Sequence, residues 1–190
     1  MRKSGILMHI SSLPGPYGVG SMGASARAFV DFLVSAGQSY WQILPLSPTG
    51  YGDSPYQSFS TFAGNHYLID LDTLAAEGLL LREELEGIDW GSPDRVDFGR
   101  LYLERARLLK LAFARFEENE AFREFVRDNG EWLEDYALFM AIKEHFRGRD
   151  WQNWSVSLLM RLRPVMDAYR EELRDAIRAD ILKQMLILQV

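Results

Sequence analysis

Two short apolar runs flank an amphipathic stretch near the start of the chain. The first is Gly5-Ile6-Leu7-Met8-His9-Ile10 and the second is Tyr40-Trp41-Gln42-Ile43-Leu44-Pro45-Leu46. Between them, residues 24–36 place Ala28, Phe29, Phe32 and Leu33 at helical spacing, and Gly37 stands where a helix C-terminal cap is expected. Strand, helix and strand in this order predict two parallel strands joined by a crossover helix. The segments between them, 11–23 and 47–65, are rich in Gly, Pro, Ser and aromatic residues and read as loops.

The composition changes near residue 70. Residues 1–70 hold 9 of the 15 Gly, 5 of the 7 Pro and 10 of the 24 aromatics, but only 3 of the 21 basic and 3 of the 27 acidic residues. This first part reads as buried strands and aromatic loops, the rest as solvated amphipathic helices. Residues 100–116 put Leu101, Leu108, Leu109, Ala112 and Phe116 near one face. Residues 131–146 repeat the pattern with Leu133, Tyr136, Ala137, Met140 and Ala141. A third pattern runs from Val165 to the end through Tyr169, Leu173, Ile177, Ile181 and Met185. Its last residues, Met185 to Val190, carry no Gly, Asn or Pro stop signal, which suggests a chain cut short inside a helix. The expected division is therefore 1–75, a strand–helix–strand part, and 76–190, a mainly helical part. No internal repeat or low-complexity tract is visible.

The net charge of −6 argues against binding a phosphate backbone, which needs a basic face. With no Cys, disulfide scaffolds, zinc–thiolate sites and thiol catalysis are ruled out. The basic start Met1-Arg2-Lys3 precedes only the short apolar run Gly5 to Met8, whereas a secretory signal needs about 7–15 apolar residues. No run approaches the ~20 apolar residues of a membrane span. The expectation is a soluble cytoplasmic protein without nucleic-acid or membrane partners.

The most informative stretch is Pro45-Leu46-Ser47-Pro48-Thr49-Gly50-Tyr51-Gly52-Asp53-Ser54-Pro55-Tyr56-Gln57-Ser58-Phe59-Ser60. It follows a strand, and loops at the C-terminal edge of parallel strands are where sites are built. A sugar ring needs an apolar face against its C–H groups and hydrogen bonds at its edge, and tyrosine offers both. From residue types alone, a rigid connecting loop with its tyrosine hydroxyls satisfied internally is the simpler reading.

A family resemblance changes that weighting. Gly5-Ile6-Leu7-Met8-His9 with Ser12-Leu13-Pro14-Gly15-Pro16-Tyr17-Gly18 resembles the first strand and loop of the 4-α-glucanotransferases, the amylomaltases and disproportionating enzymes. Tyr40 to Leu46 resembles that family's second barrel strand. Tyr51-Gly52-Asp53-Ser54-Pro55-Tyr56-Gln57-Ser58-Phe59-Ser60, then Ala63-Gly64-Asn65, resembles its substrate loop. Trp132 to Phe139 and Lys143 to Phe146 also match the family pattern, collinearly. The resemblance implies a (β/α)8 TIM barrel, of which this α/β chain would supply the first two strands, with an inserted helical subdomain. It implies transfer of α-1,4-glucan segments between maltooligosaccharides, or to glucose, by a retaining two-step mechanism, with no cofactor. That chemistry needs two carboxyl groups roughly 5–5.5 Å apart. By motif position, Tyr56 would lie under the donor sugar with Asp53, Ser54 and Gln57 beside it, and Tyr51 would make a secondary glucan contact.

The departure is as informative. Family members run to about twice the ~250 residues of a bare barrel. Their nucleophile lies in a later Arg-Ile-Asp-His-Phe-type motif, and the acid/base Glu and a further Asp come later still; none is in this sequence. The family helix matching 177–190 goes on into a Gln-Trp pair, where this sequence stops. The expectation is that the 190 residues alone turn over no glucan and that two barrel strands leave unpaired edges.

Other residues take plainer readings. Glu144, within Ile142-Lys143-Glu144-His145-Phe146-Arg147-Gly148, echoes the nucleophile motif but falls on a helical pattern, so no catalytic role is assigned. His9 reads as a packed, hydrogen-bonded core histidine; His66 and His145 lack metal-ligand spacing, and no metal is proposed. Ser11-Ser12 lacks the context of a hydrolase nucleophile. Gly18, Gly20 and Gly23 spell Gly-x-Gly-x-x-Gly far behind the first strand, a chance match to the dinucleotide pattern. Trp151 and Trp154 either stack on sugars or anchor the helices. A non-catalytic α-glucan-binding module and a helical interaction module remain as alternatives to the transferase.

Overall fold

The structure, a computed structural model, describes residues 2–188; the sequence expectation at Gln189 and Val190 lies outside them. Strand β1 (Gly5–Leu7) and strand β2 (Tyr40–Gln42) pair in parallel with Ile6 opposite Trp41, and helix α1 (Ala24–Ser35) crosses between them. α1 ends as its sequence predicts. Gly37 adopts φ +64°, its N–H reaches the Val34 carbonyl, and Gln38 N–H reaches the Leu33 carbonyl, the Schellman pattern that caps a helix.

The strands differ from expectation in length and burial. Each is three residues, with one further bond from Met8 N–H to the Gln42 carbonyl at 3.0 Å. Beyond it the chain turns into a 3-10 turn at Ile10–Ser12, and Pro45 has no N–H to offer a ladder. The expected buried strands are half-exposed because side chains alternate across a sheet. Trp41 faces α1, where its ring meets Phe29 edge-on at 4.9 Å, while Leu7 and Tyr40, each 57% exposed, point the other way.

Among the described residues eight further helices follow: α2 (Leu71–Ala76), α3 (Arg82–Leu85), α4 (Phe98–Arg115), α5 (Glu120–Asp128), α6 (Leu133–His145), α7 (Val156–Leu159), α8 (Arg163–Glu172) and α9 (Arg174–Leu188). The third helical pattern is thus two helices, separated at Leu173, where the backbone leaves helical geometry (φ −102°, ψ 19°). No Gly or Pro marks that break, so periodicity runs through it. Among the described residues no helix is long and apolar enough to cross a membrane.

The chain forms two compact units, one of residues up to Glu117 with 186–188 and one of Glu118–Met185. The composition step near residue 70 falls inside the first unit. Its core joins Ile10, Leu13, Leu68, Leu74 and Ala26 to the apolar stripe of α4, Leu108, Leu109 and Ala112. The bidentate pair of Arg115 with Glu84 (2.8 and 2.6 Å) fastens α3 to α4. The second unit packs Leu138 and Ile142 of α6 against Leu158 and Met166.

Candidate functional site

A cleft of about 160 Å³ opens in the first unit at the C-terminal ends of both parallel strands. His9, Ser11 and Ser12 come from the chain leaving β1; Leu44, Pro45, Thr49, Asp53 and Pro55 come from the chain leaving β2. Asn65, Tyr67 and Leu68 form a further wall, with Val19 and Phe98 completing the lining. This placement follows the general rule for ligand sites in parallel α/β structures.

The loop 47–65 folds on itself through turns. Asp53 N–H reaches the Gly50 carbonyl at 3.2 Å around Gly52, whose φ of +89° suits the third position of a type II turn. Gln57 N–H reaches the Ser54 carbonyl at 3.0 Å, and Gly50 N–H reaches the Gln57 carbonyl at 3.1 Å. Asp53 itself is left-handed (φ 54°), a conformation Asp tolerates better than most residues, and its Oδ1 lies 3.4 Å from the Thr49 hydroxyl. The serines serve the backbone: Ser60 Oγ accepts from Phe62 and Ala63 N–H, and Ser58 Oγ donates to the Ser60 carbonyl.

The residues singled out in the sequence therefore divide. Asp53 lines the cleft. Ser54 is half-buried outside the lining, its Oγ 3.4 Å from Tyr56 N–H. Gln57 is exposed and acts through its backbone in the turn. Tyr51 is fully exposed and Tyr56 is 73% exposed. The expectation of tyrosine hydroxyls satisfied internally is not met, because the loop bonds internally through its serines and backbone instead.

The far wall is a short 3-10 turn, His66–Leu68, capped by Asn65, whose Oδ1 accepts from Tyr67 N–H at 3.0 Å. Asn65 N–H donates to the Leu46 carbonyl at 2.7 Å and ties this wall to the chain leaving β2. Tyr67 is 7% exposed; burial chiefly, and then the negative charge of Asp53, push its phenol up to about 12, so it stays a hydrogen-bond donor. His9 caps the 3-10 turn after β1: its Nδ1 accepts from Ser11 N–H at 3.2 Å and lies 2.6 Å from Ser11 Oγ. Accepting at Nδ1 leaves the ring proton of the neutral imidazole on Nε2, which is buried without a partner among the described residues. His9 is thus hydrogen-bonded, as its sequence context indicates, and also lines the cleft, which that context does not.

The glycine-rich loop before α1 has a packing explanation. A Cβ at Gly20 would run into the Ile10 carbonyl, and one at Gly23 would run into the Asp70 carboxylate. Asp70 accepts from Ser21 Oγ at 2.8 Å and caps α2 through Thr73 N–H at 3.0 Å. Nearby, Tyr17 OH donates to Asp72 at 2.7 Å, and burial together with that carboxylate pushes the phenol up to about 12. Glu144 lies on α6 in the second unit, exposed, and lines no part of the cleft. His145 packs edge-on against Phe146 and Tyr169. Trp154 stands 5.6 Å from Phe139 and 5.8 Å from Phe146, while Trp151 is half-exposed.

Comparison with known proteins agrees along the whole chain. A sequence profile described as 4-alpha-glucanotransferase matches residues 8–189. A 4-alpha-glucanotransferase of Streptococcus pneumoniae is 52% identical over 181 residues, covering 93% of this chain and 36% of that protein. One from Thermus thermophilus is 52% identical over 182 residues, covering 90% of this chain and 35% of that protein. The chain thus spans about a third of the length of these relatives. Among solved structures, an amylomaltase from Streptococcus agalactiae in complex with acarbose superposes with a TM-score of 0.95 at 41% identity, covering 100% of this chain and 39% of that one.

Proposed function

The chain belongs to the 4-alpha-glucanotransferase family, and from that premise we propose that its first unit binds α-1,4-glucan for transfer between maltooligosaccharides or to glucose. The observation that carries this reading is the cleft at the strand ends, one wall of which is the loop bearing Asp53 and two exposed tyrosines. Asp53 accepts hydrogen bonds from sugar hydroxyls. The exposed ring of Tyr56 offers a face to the donor sugar, and Tyr51 provides a secondary contact further along the glucan. Ser54 and Gln57 hold the turn that presents both rings. The relative solved with acarbose supports an oligosaccharide ligand for this fold.

The same reading assigns residues 1–75 to the opening strand–helix–strand part of a (β/α)8 barrel and 76–190 to a helical insertion. Retaining transfer needs two carboxyl groups roughly 5–5.5 Å apart. Among the described residues lining the cleft, Asp53 supplies the carboxylate. These 190 residues therefore serve recognition, and the carboxylate pair is proposed to lie in the family's later motifs.

Titration calorimetry with maltoheptaose tests the assignment. Weak binding that falls about tenfold in Asp53→Ala and in Tyr56→Ala supports it, a loss of the size one good polar or stacking contact provides. Unchanged affinity in both variants contradicts it. Incubation with maltotriose is expected to yield no glucose and no longer glucans; turnover would overthrow the division between recognition and chemistry.

A further inference from the structure

The apolar stripe of α4 is interrupted by an arginine. Leu101, Leu108, Leu109 and Ala112 face the core, and Arg105 stands between them, fully buried. Its Nη1 donates to the Ile69 carbonyl at 2.6 Å, while Nε and Nη2 have no hydrogen-bond partner among the described residues. Burial lowers its pKa to about 10, and the charge of Asp70 opposes that shift, so the guanidinium remains charged at neutral pH. An aliphatic side chain would fill this space without removing a charge from water, so packing alone does not account for Arg105.

What the arginine holds is the back of the cleft. Ile69 follows directly on the turn that places Asn65, Tyr67 and Leu68 in the wall. Leu68 in turn accepts Met22 N–H at 2.9 Å through its carbonyl, and Asp70 holds Ser21. The Tyr67 phenol feels the negative charge of Asp53 and the positive charge of Arg105. The wall thus lies between a carboxylate in the loop and a buried cation in α4.

We propose that Arg105 is a positioning residue of the glucan cleft: by gripping the Ile69 carbonyl from the core side, it fixes Asn65 and Tyr67 opposite Asp53. The proposal rests on the reading of this cleft as the glucan site. Its mechanical part is independent of any ligand and is measured separately.

The test compares the full chain with Arg105→Met, which keeps bulk but no donor, and Arg105→Lys, which keeps one charged donor. Leu108→Ala serves as a core defect on the same helix face. Hydrogen exchange reads the wall directly, because Tyr67 N–H bonds Asn65 Oδ1 and Leu68 N–H bonds the Asn65 carbonyl. In Arg105→Met, exchange at these two amides is expected to quicken at least about tenfold while acarbose binds about tenfold more weakly, the range for losing a charge-assisted bond. Arg105→Lys is expected to restore both, and Leu108→Ala to lower the melting temperature while leaving both near the parent values. If Arg105→Met does not fold, Arg105→Gln replaces it with the same expectation at reduced size. Unchanged protection at Tyr67 and Leu68, failure of Lys to rescue, or the same losses in Leu108→Ala would each overturn the proposal. If the parent chain binds no acarbose, the glucan reading fails, and hydrogen exchange still decides whether Arg105 sets the wall.

Discussion

Among the described residues each unit buries one charged residue on a helix, and the two charges hold different things. In the first unit Arg105 reaches a carbonyl 36 residues away. In the second, Asp180 pairs with Lys183 one turn along the same helix at 2.7 Å. The contrast extends beyond these two. The first unit is fastened by side-chain bonds between residues 31 to 55 positions apart: Tyr17 to Asp72, Ser21 to Asp70, Trp41 to Met8, Arg105 to Ile69 and Arg115 to Glu84. In the second unit most ion pairs are local, such as Arg123 with Glu120, Arg170 with Asp167 and Arg174 with Glu171. Among the described residues, its longer-range pairs are Arg161 with Asp135, Arg178 with Glu118 and His145 with Glu172. The reason is the backbone. Helices satisfy their own N–H and C=O groups, so their charges decorate a surface. Loops do not, and a cleft walled by loops needs distant side chains to hold it open.

The two units should part most widely in a matched pair of core deletions. Leu108→Ala in the first unit and Leu138→Ala in the second are each expected to cost about 2–5 kcal/mol. Amide exchange should quicken mainly in the core helices of the unit that carries the change, with the Tyr67 and Leu68 amides of the cleft wall staying near their parent values in Leu108→Ala. Quickening spread evenly over both would mean that the units unfold as one.

A smaller effect tests the difference in reach. Asp70→Ala removes a helix cap and the bond to Ser21, and denaturant unfolding should register about 1–3 kcal/mol. Asp167→Ala removes exposed local pairs with Arg170 and Arg163 and should cost less than about 1 kcal/mol. Equal losses would mean that long-range and local bonds hold the two units equally well.

The pH response should carry opposite signs in the two units. Hydrogen bonds from Arg115 and from Leu81 N–H hold Glu84 at about 2 instead of its ordinary 4.5. The unfolded state then binds this proton more readily. The stabilisation from Glu84 is complete above 4.5 and is lost as pH falls toward 2. The pair stays partly open to solvent, which keeps the effect modest, and Glu84→Gln should flatten it. Asp180 is raised instead, chiefly by burial, against the pull of Lys183. Its folded form holds the proton more tightly, so its destabilising contribution is relieved as pH falls through the folded value. Methyl NMR melts of each unit across pH should show the first losing stability in acid through Glu84 and the second gaining it through Asp180. Matching slopes that Glu84→Gln and Asp180→Asn leave unchanged would contradict the assignment.

Much of this architecture was legible in the sequence because it repeats a period or needs a particular residue. The crossover order, Gly37 at the end of α1, and the helices α4 and α6 all follow from spacing and capping. The exposure of Leu7 and Tyr40 was not legible, since an apolar strand reads alike whether one face or both are covered. Nor was the break at Leu173, where no Gly or Pro stands. The substrate loop stood out through its motif, yet the structure brings Asp53 and Pro55 of 51–60 into the lining and leaves the tyrosines in solvent. Asn65 stood inside the matched motif and His9 in the first strand, but their meeting with Tyr67 at one cleft was hidden because pairing across the cleft is long-range. Arg105 carried a signal that an apolar-stripe search passes over: an arginine at the centre of a leucine face.

The most direct test of the central claim, that the cleft of the first unit takes the glucan, is NMR mapping of acarbose on the isotope-labelled full chain. Saturable amide shifts are expected, centred on Thr49, Asp53, Asn65 and Tyr67 and all weakened together by Asp53→Ala. No shifts, or shifts confined to residues 118–185, would contradict it.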